Sequence, residues 1–304
     1  MPARFELPVP SPDDARVVVP APGDGPGYWA GGPSAALADD GTFWLAYRLR
    51  RPIGAGRGYA NVVARSDDGE TFETVPVIAR NQLDCDSLER PALMALPGGG
   101  WRLYLSCATP GTRHWRVDAL DADDPSGFDP ATATTILPGD PADVAVKDPV
   151  VKFLDGRWHL WLCCHPLDEP DETDRMSTSY GTSDDGMEWT LHDVALAGRP
   201  GAWDQRGARV ADVRRGPGGW LAYYDGRASR SENAEERTGI ATGTDPGSLT
   251  STGDDPIGAQ PDGSGSLRYL SALSLPGGAT RLYYETSRLD GAHDLRTEYV
   301  PPTR

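Results

Sequence analysis

Within the stretch from Ala145 to His165, an aspartate, Asp148, stands directly before Pro149 and a strongly apolar run. Asp is a poor strand residue, and its charge is costly to bury alone. It is therefore either a structural cap or a group aimed at a ligand. Other charged or aromatic residues recur just ahead of similar apolar runs: Trp29, Glu89 with Arg90, Arg206 with Arg209, and Arg268 with Tyr269. Arg48, Asp225 and His165 stand at the far ends of such runs. Carboxylates beside a reacting bond can donate or accept protons. Arginine forks match carboxylate, phosphate or sulfate groups. Each residue also has an ordinary structural alternative. Glu89 and Arg90 can form a simple ion pair, Asp225 before Gly226 can be a turn residue, and His165 can sit on a rim.

The elements that would position these groups repeat. Five segments, beginning at Ala35, Ala92, Val150, Ala211 and Ala272, each read as an apolar strand, a glycine turn and a strand with alternating aromatics. Such turns between alternating runs are hairpin signals. The turn glycines Gly41, Gly99, Gly156, Gly218 and Gly277 are separated, by subtraction, by 58, 57, 62 and 59 residues. A fixed period of this size marks a modular array. Each unit carries further short β segments, including "SDDGETF" from Ser66 and "SDDGMEW" from Ser183. Four short strands per unit make a propeller blade.

The expectation is an all-β, five-bladed propeller of four-stranded antiparallel blades, one domain over residues 1–304. The blades fall near 28–80, 87–138, 145–198, 204–252 and 265–300, and residues 15–20 are placed to close the ring. In this scheme Pro149 holds Asp148 extended at the mouth of a central funnel, with Lys147 turned to the opposite side. The Asp67–Asp68 and Asp184–Asp185 pairs belong to outer turns.

These motifs resemble known enzymes. "KDPVVKFLDGRWHLWL" is similar to a third-blade segment of glycoside hydrolase families 43 and 130, and "ERPALMALPGGGWRLYLS" resembles a second-blade segment of families 130 and 32. The "SDDG" turns resemble the Asp-box turns of sialidase-like propellers. The likeness implies a hydrolase acting on a glycosidic bond between two carboxylates. By the same likeness Asp148 matches a substrate-positioning Asp of family 43. Arg90 stands where family 130 places a catalytic Asp, with Glu89 one residue earlier. The first-blade acid is missing from "GGPSAA", and Arg209 stands near the place of the fourth-blade acid.

The expected catalytic set is therefore Asp148 and Glu89. The expected ligand-binding set is Arg90, Arg209, Arg206, Arg268, Tyr269, Trp29, Arg48, Asp225 and His165. The ligand implied is a small, anionic or modified glycoside or oligosaccharide. The alternative is a catalytically diverged propeller that binds or transforms a small polar metabolite. No cofactor and no metal are expected.

The formal charge of −16 disfavours nucleic acid or an anionic membrane as a partner. "MPARFELPVPSP" has no signal-peptide shape, and the four cysteines lack zinc-site spacing, which suits a reducing cytoplasm. Cys85, between two aspartates, is expected at the surface. No signal for an oligomeric state stands out.

Overall fold

The structure is a computed structural model that describes residues 7–302. It is all-β, with short 3-10 turns in the connections. The short strand β1 (Arg16–Val19) precedes a regular series. The first sheet holds β2 (Trp29–Leu37), β3 (Phe43–Arg50), β4 (Gly58–Ser66) and β5 (Glu73–Ala79). The second holds β6 (Ala92–Ala95), β7 (Trp101–Ala108), β8 (Trp115–Ala122) and β9 (Thr134–Leu137). The third holds β10 (Val144–Leu154), β11 (Arg157–Pro166), β12 (Ser177–Ser183) and β13 (Thr190–Leu196). The fourth holds β14 (Gly207–Gly216), β15 (Gly219–Arg227), β16 (Arg237–Asp245) and β17 (Ser248–Ser251).

Finally β18 (Leu267–Ser274), β19 (Thr280–Ser287) and β20 (His293–Val300) form an antiparallel set. β1 adds to β20 as the fourth strand, with Arg16 opposite Thr297 and Val19 opposite Leu295. This set meets the first sheet through one parallel bridge, Trp29 to His293.

The first strands of successive sheets touch in order: β2 with β6, β6 with β10, β10 with β14, β14 with β18, and β18 back with β2. Polar side chains tie one sheet to the next first strand. Asn61 donates to the Glu89 carbonyl at 3.1 Å, and Thr238 donates to the Leu267 carbonyl at 2.9 Å. Thr178 donates to the Ala208 carbonyl and accepts from the Val210 amide. Apolar side chains fill the spaces between sheets, as where Trp161 and Tyr180 pack against Val210 and Trp220.

Hairpin chemistry agrees with the sequence at most repeats. Asp155 and Gly156 both have positive φ (53° and 78°), the paired left-handed geometry of a tight hairpin turn. In the fourth sheet the left-handed residue is Gly219 (φ 131°), one position beyond the expected Gly218. The "SDDG" turns are capped by their second aspartate: Asp68 Oδ1 accepts from the amides of Glu70 and Thr71, both at 2.8 Å, and Asp185 repeats this at Met187 and Glu188.

Two local expectations fail. Cys85 is buried, packed with Leu88 and Cys107. Asp148 is not extended: its φ is 52°, and the β10–β11 register breaks between Lys147 and Val150. The same break occurs in β2 at Gly32 (φ 60°) and in β18 at Tyr269 (φ 56°). A left-handed residue rotates the backbone within each of these strands. Asp tolerates that conformation better than most residues, and the proline bias before Pro149 is overridden.

Candidate functional site: a cationic chamber at the strand entrances

At the N-terminal ends of the first strands the chain encloses a chamber of about 110 Å³. Trp29 of β2, Lys147 of β10, Arg209 of β14, and Arg268 and Tyr269 of β18 reach it directly. Glu89 enters just ahead of β6. The rest come from the ends of second strands and the connections that follow them. These are Arg48 and Arg50 of β3, Arg57 from β3–β4, His165 of β11, Arg227 of β15, and Asn233 and Glu236 from β15–β16. Wider space of about 370 Å³ continues outward as a vestibule that shares Arg57, Lys147, His165 and Asn233 with the chamber.

A larger cavity, about 690 Å³, lies at the opposite strand ends, among Leu154, Val213 and Leu273. There Lys152 is paired with Asp212 at 2.6 Å, and Asp212 also accepts the Ala272 amide at 2.6 Å. Asp212 is thus a structural tie. The charged residues singled out by sequence converge at the other end, which makes the chamber the stronger candidate.

An alternating chain of ion pairs surrounds the chamber. Glu89 pairs with Arg48. Arg48 also holds Glu285 at 2.7 Å, and Glu285 holds Arg268 at 2.7 Å. Arg268 and Arg227 each reach Glu236 at 2.5 Å. His293 Nδ1 lies 2.7 Å from Glu285.

Burial raises Asp225 despite Arg209 beside it, but at the three glutamates the guanidinium neighbours overcome burial. Arg48 holds Glu89 below the ordinary range, Arg268 and Arg48 do so for Glu285, and Arg268, Arg209 and Arg227 for Glu236. Burial moves His165 the other way. With Lys147, Arg227 and Arg209 nearby, its pKa falls well below 6.5, so the ring is neutral. Its Nδ1 lies 3.1 Å from the Thr173 carbonyl, which fixes that nitrogen as the donor and leaves Nε2 as an acceptor.

Asp148 is fully buried and lies under the chamber, not at its mouth. Its Oδ1 accepts the Arg90 amide at 3.1 Å, and its Oδ2 is 3.2 Å from Arg209 and 3.3 Å from the Tyr269 hydroxyl. The left-handed backbone turns this side chain inward. Lys147 lines the chamber on the same side, with Nζ 3.9 Å from Asp148 Oδ2.

Asp225 lies beside it below the floor. It is a strand residue, not a turn residue, and receives Arg209 at 2.9 Å and the Tyr269 amide at 3.1 Å. Arg90 also lies below, donating to the Pro33 carbonyl at 3.0 and 3.1 Å. Arg206 is outside the chamber, paired with Asp174 at 2.8 Å and Glu172 at 3.1 Å. Trp29 lines the chamber, but its ring is flanked by Arg50 at 4.0 Å, Arg268 at 4.7 Å and His293 at 4.8 Å.

Arg50, Arg57, Lys147, Arg227, Asn233 and Glu236 were not among the residues picked out as ligand-binding. Strand alternation carries the missing signal for two of them. Arg50 lies two residues from Arg48, and Arg227 two from Asp225, so each shares its neighbour's face. Among the described residues no group of three His, Cys, Asp or Glu side chains is arranged to hold a metal ion. No helix is long and apolar enough to cross a membrane.

Solved structures that match this fold include glycoside hydrolases and a mannobiose phosphorylase. A family-43 glycoside hydrolase matches with a TM-score of 0.67 at 14% identity, covering 89% of this chain and 88% of that one. A β-1,2-mannobiose phosphorylase from Listeria innocua, solved with β-1,2-mannobiose, matches at 0.64 and 14%, covering 96% and 92%. The chain has the propeller fold of the glycoside hydrolases. A glycosyl hydrolase from Bacteroides ovatus matches this propeller at 0.62 and 15%, covering 97% and 91%. No protein-family model matches the chain, and no curated protein matches it in sequence.

Proposed function

We propose that the chain is a five-bladed, single-domain, carbohydrate-active propeller whose central funnel takes a small anionic sugar. The closed circuit of first strands and the four strands per sheet support five blades. The ligand class rests on one observation. Seven cationic side chains line the chamber, namely Arg48, Arg50, Arg57, Lys147, Arg209, Arg227 and Arg268. The carboxylates there and directly beneath number five: Glu89, Glu236, Asp148, Asp225 and Glu285. The excess of two positive charges sits inside a chain of net charge −16. Arg50 has no carboxylate partner within 4.0 Å among the described residues, and burial with Arg48, Arg268 and Arg57 nearby lowers it to about 10, partly offset by Glu89. An anion in the chamber would relieve that repulsion.

Glu89 and Glu236 are the carboxylates placed to touch the ligand. Asp148 acts from beneath, setting Arg209 and Tyr269. Acid-assisted glycoside cleavage needs one carboxyl group that keeps its proton near neutral pH. The two carboxylates that line the chamber, Glu89 and Glu236, are held ionised by arginine, and Asp225, which burial raises, lies beneath the floor; this favours recognition, or a step needing only a base, over hydrolysis between two carboxylates. His165 is neutral, and its Nε2 is placed to accept from the Cys163 thiol at 3.5 Å. Hydrolysis by Glu89 and Asp148 is the second reading, and the shared fold favours it.

The test is calorimetric titration with glucuronic acid, glucose 6-phosphate and glucose, alongside a screen of nitrophenyl glycosides. An anionic sugar should bind at least about tenfold more tightly than glucose, about 1.4 kcal/mol, and Arg50→Gln should remove most of that preference. Equal affinity for glucose would overturn the reading, and rapid cleavage of neutral glycosides would favour the second one.

A further inference from the structure

The vestibule shares Arg57 and Lys147 with the chamber, adds Arg113 and Arg230, and leaves most of these cations unengaged. In the chamber Arg48, Arg209, Arg227 and Arg268 each hold a carboxylate. In the vestibule Arg57, Arg113 and Arg230 have none within 4.0 Å among the described residues, and Lys147 comes only within 3.9 Å of Asp148. These four cations come from four different sheets. Arg57 belongs to the β3–β4 connection, Arg113 to β7–β8, Lys147 to β10 and Arg230 to β15–β16.

The chain has 45 acidic side chains against 29 Lys and Arg, so chance alone would place acids among them. The acid on the vestibule wall, Asp174, is already engaged by Arg206 at 2.8 Å. Four like charges converging from separate loops repel one another unless a counter-charge enters. The chamber, at about 110 Å³, is also small beside the roughly 300 Å³ or more typical of ligand pockets. The vestibule, at about 370 Å³, supplies that room.

We propose that the vestibule is a second anion subsite, so that the ligand is a sugar carrying two anionic groups. One group lies in the chamber near Arg50. The other lies in the vestibule, held by Arg57, Lys147, Arg113 and Arg230. This inference rests on the chamber reading above and adds the second charge to it. Phosphate and carboxylate share the required chemistry, and the probes separate them.

The experiment is calorimetric titration with two probe pairs. The phosphate pair is glucose 1-phosphate and glucose 1,6-bisphosphate. The carboxylate pair is galacturonic acid and its 1,4-linked disaccharide. The measured quantity is the ratio of affinities within each pair, for the wild type and for Arg113→Gln/Arg230→Gln. Both side chains are exposed, so the double variant should fold.

The probe with two anionic groups in at least one pair should bind about tenfold or more tightly than its partner with one. The double variant should bring that ratio below about threefold. Raising the salt should shrink the ratio too, because exposed charges are screened more than buried ones. Binding of the probes with one anionic group and no preference for those with two, or a ratio unchanged in the double variant, overturns the second subsite and leaves the chamber reading standing. If no anionic probe binds, both readings fall.

Discussion

Asp148 joins three sheets through one carboxylate. It receives the Arg90 amide, faces Arg209 and Tyr269, and its own amide donates to Ser106 at 2.8 Å. Its charge was legible in the sequence. Its depth was not, because that depth follows from a left-handed backbone that the residue before a proline rarely adopts. The fully buried site also changes what an isosteric substitution does. Asp148→Asn keeps the shape but leaves Arg209 with Asp225 as its one close carboxylate partner. Disrupting a buried ion pair typically costs about 3–5 kcal/mol, and the amide recovers part of that through its remaining acceptor. We expect a loss of about 2–3 kcal/mol, or a melting temperature lower by roughly 5 °C, at about 2 °C per kcal/mol for a chain of this size. Binding of an anionic sugar should weaken with it, because Arg209 and Tyr269 both line the chamber. Calorimetric melting and titration of the variant check both effects. An unchanged melting curve would mean that Arg209 is held by Asp225 alone.

At the scale of elements, the hairpins were readable and the connections were not. Each hairpin needs left-handed residues at one place between two apolar strands, so glycine recurs with a near-constant period. The β3–β4, β11–β12 and β15–β16 connections have no such requirement. They differ in length and residue type, and they carry Arg57, Asn233 and Glu236, with His165 just ahead of one, without a repeating signature. The fourth hairpin shows how local this reading is. Its two adjacent glycines look equivalent in sequence, but a Cβ on Gly219 would lie 2.4 Å from the Gly243 carbonyl, whereas one on Gly218 would meet nothing within 4 Å. Gly156 separates backbone strain from crowding. Its φ is 78°, and a Cβ there would meet nothing within 4 Å. Gly156→Val should therefore cost roughly 1–2 kcal/mol from the backbone alone, lowering the melting temperature by about 2–4 °C. Gly218→Ala is the control and should shift it by less than about 1 °C. Equal shifts in the two variants would show that left-handed geometry is not what the Gly156 turn demands.

At the scale of the whole molecule, the N-terminal segment completes the last antiparallel set by pairing β1 with β20. Without β1, the outer edge of β20 would present unpaired amides and carbonyls, a template for pairing with another chain. The segment contributes more than a ladder. Val18 and Val19 pack with Leu45 and Leu295, and Leu7 packs with Tyr223 and Leu267. The Ser11 amide donates to Glu298 at 2.8 Å, and the Ala21 amide to Asp294 at 2.9 Å. Repeat spacing made the units visible in the sequence, but closure was only a position, residues 15–20, because a four-residue strand has no pattern of its own. A chain beginning at Ala21 should lose both the apolar packing and the edge partner. Burying a valine or leucine side chain is worth about 1.5–3 kcal/mol, so removing three such side chains with the ladder should cost at least about 4 kcal/mol. The melting temperature should fall by roughly 8 °C or more, and light scattering should show association that grows with protein concentration. A synthetic peptide spanning residues 7–20, added in excess, should restore part of the stability, because it can add to β20 as an extra strand. If the shortened chain melts like the full one and stays monodisperse, β1 is an accessory strand and closure rests on β18 against β2 alone.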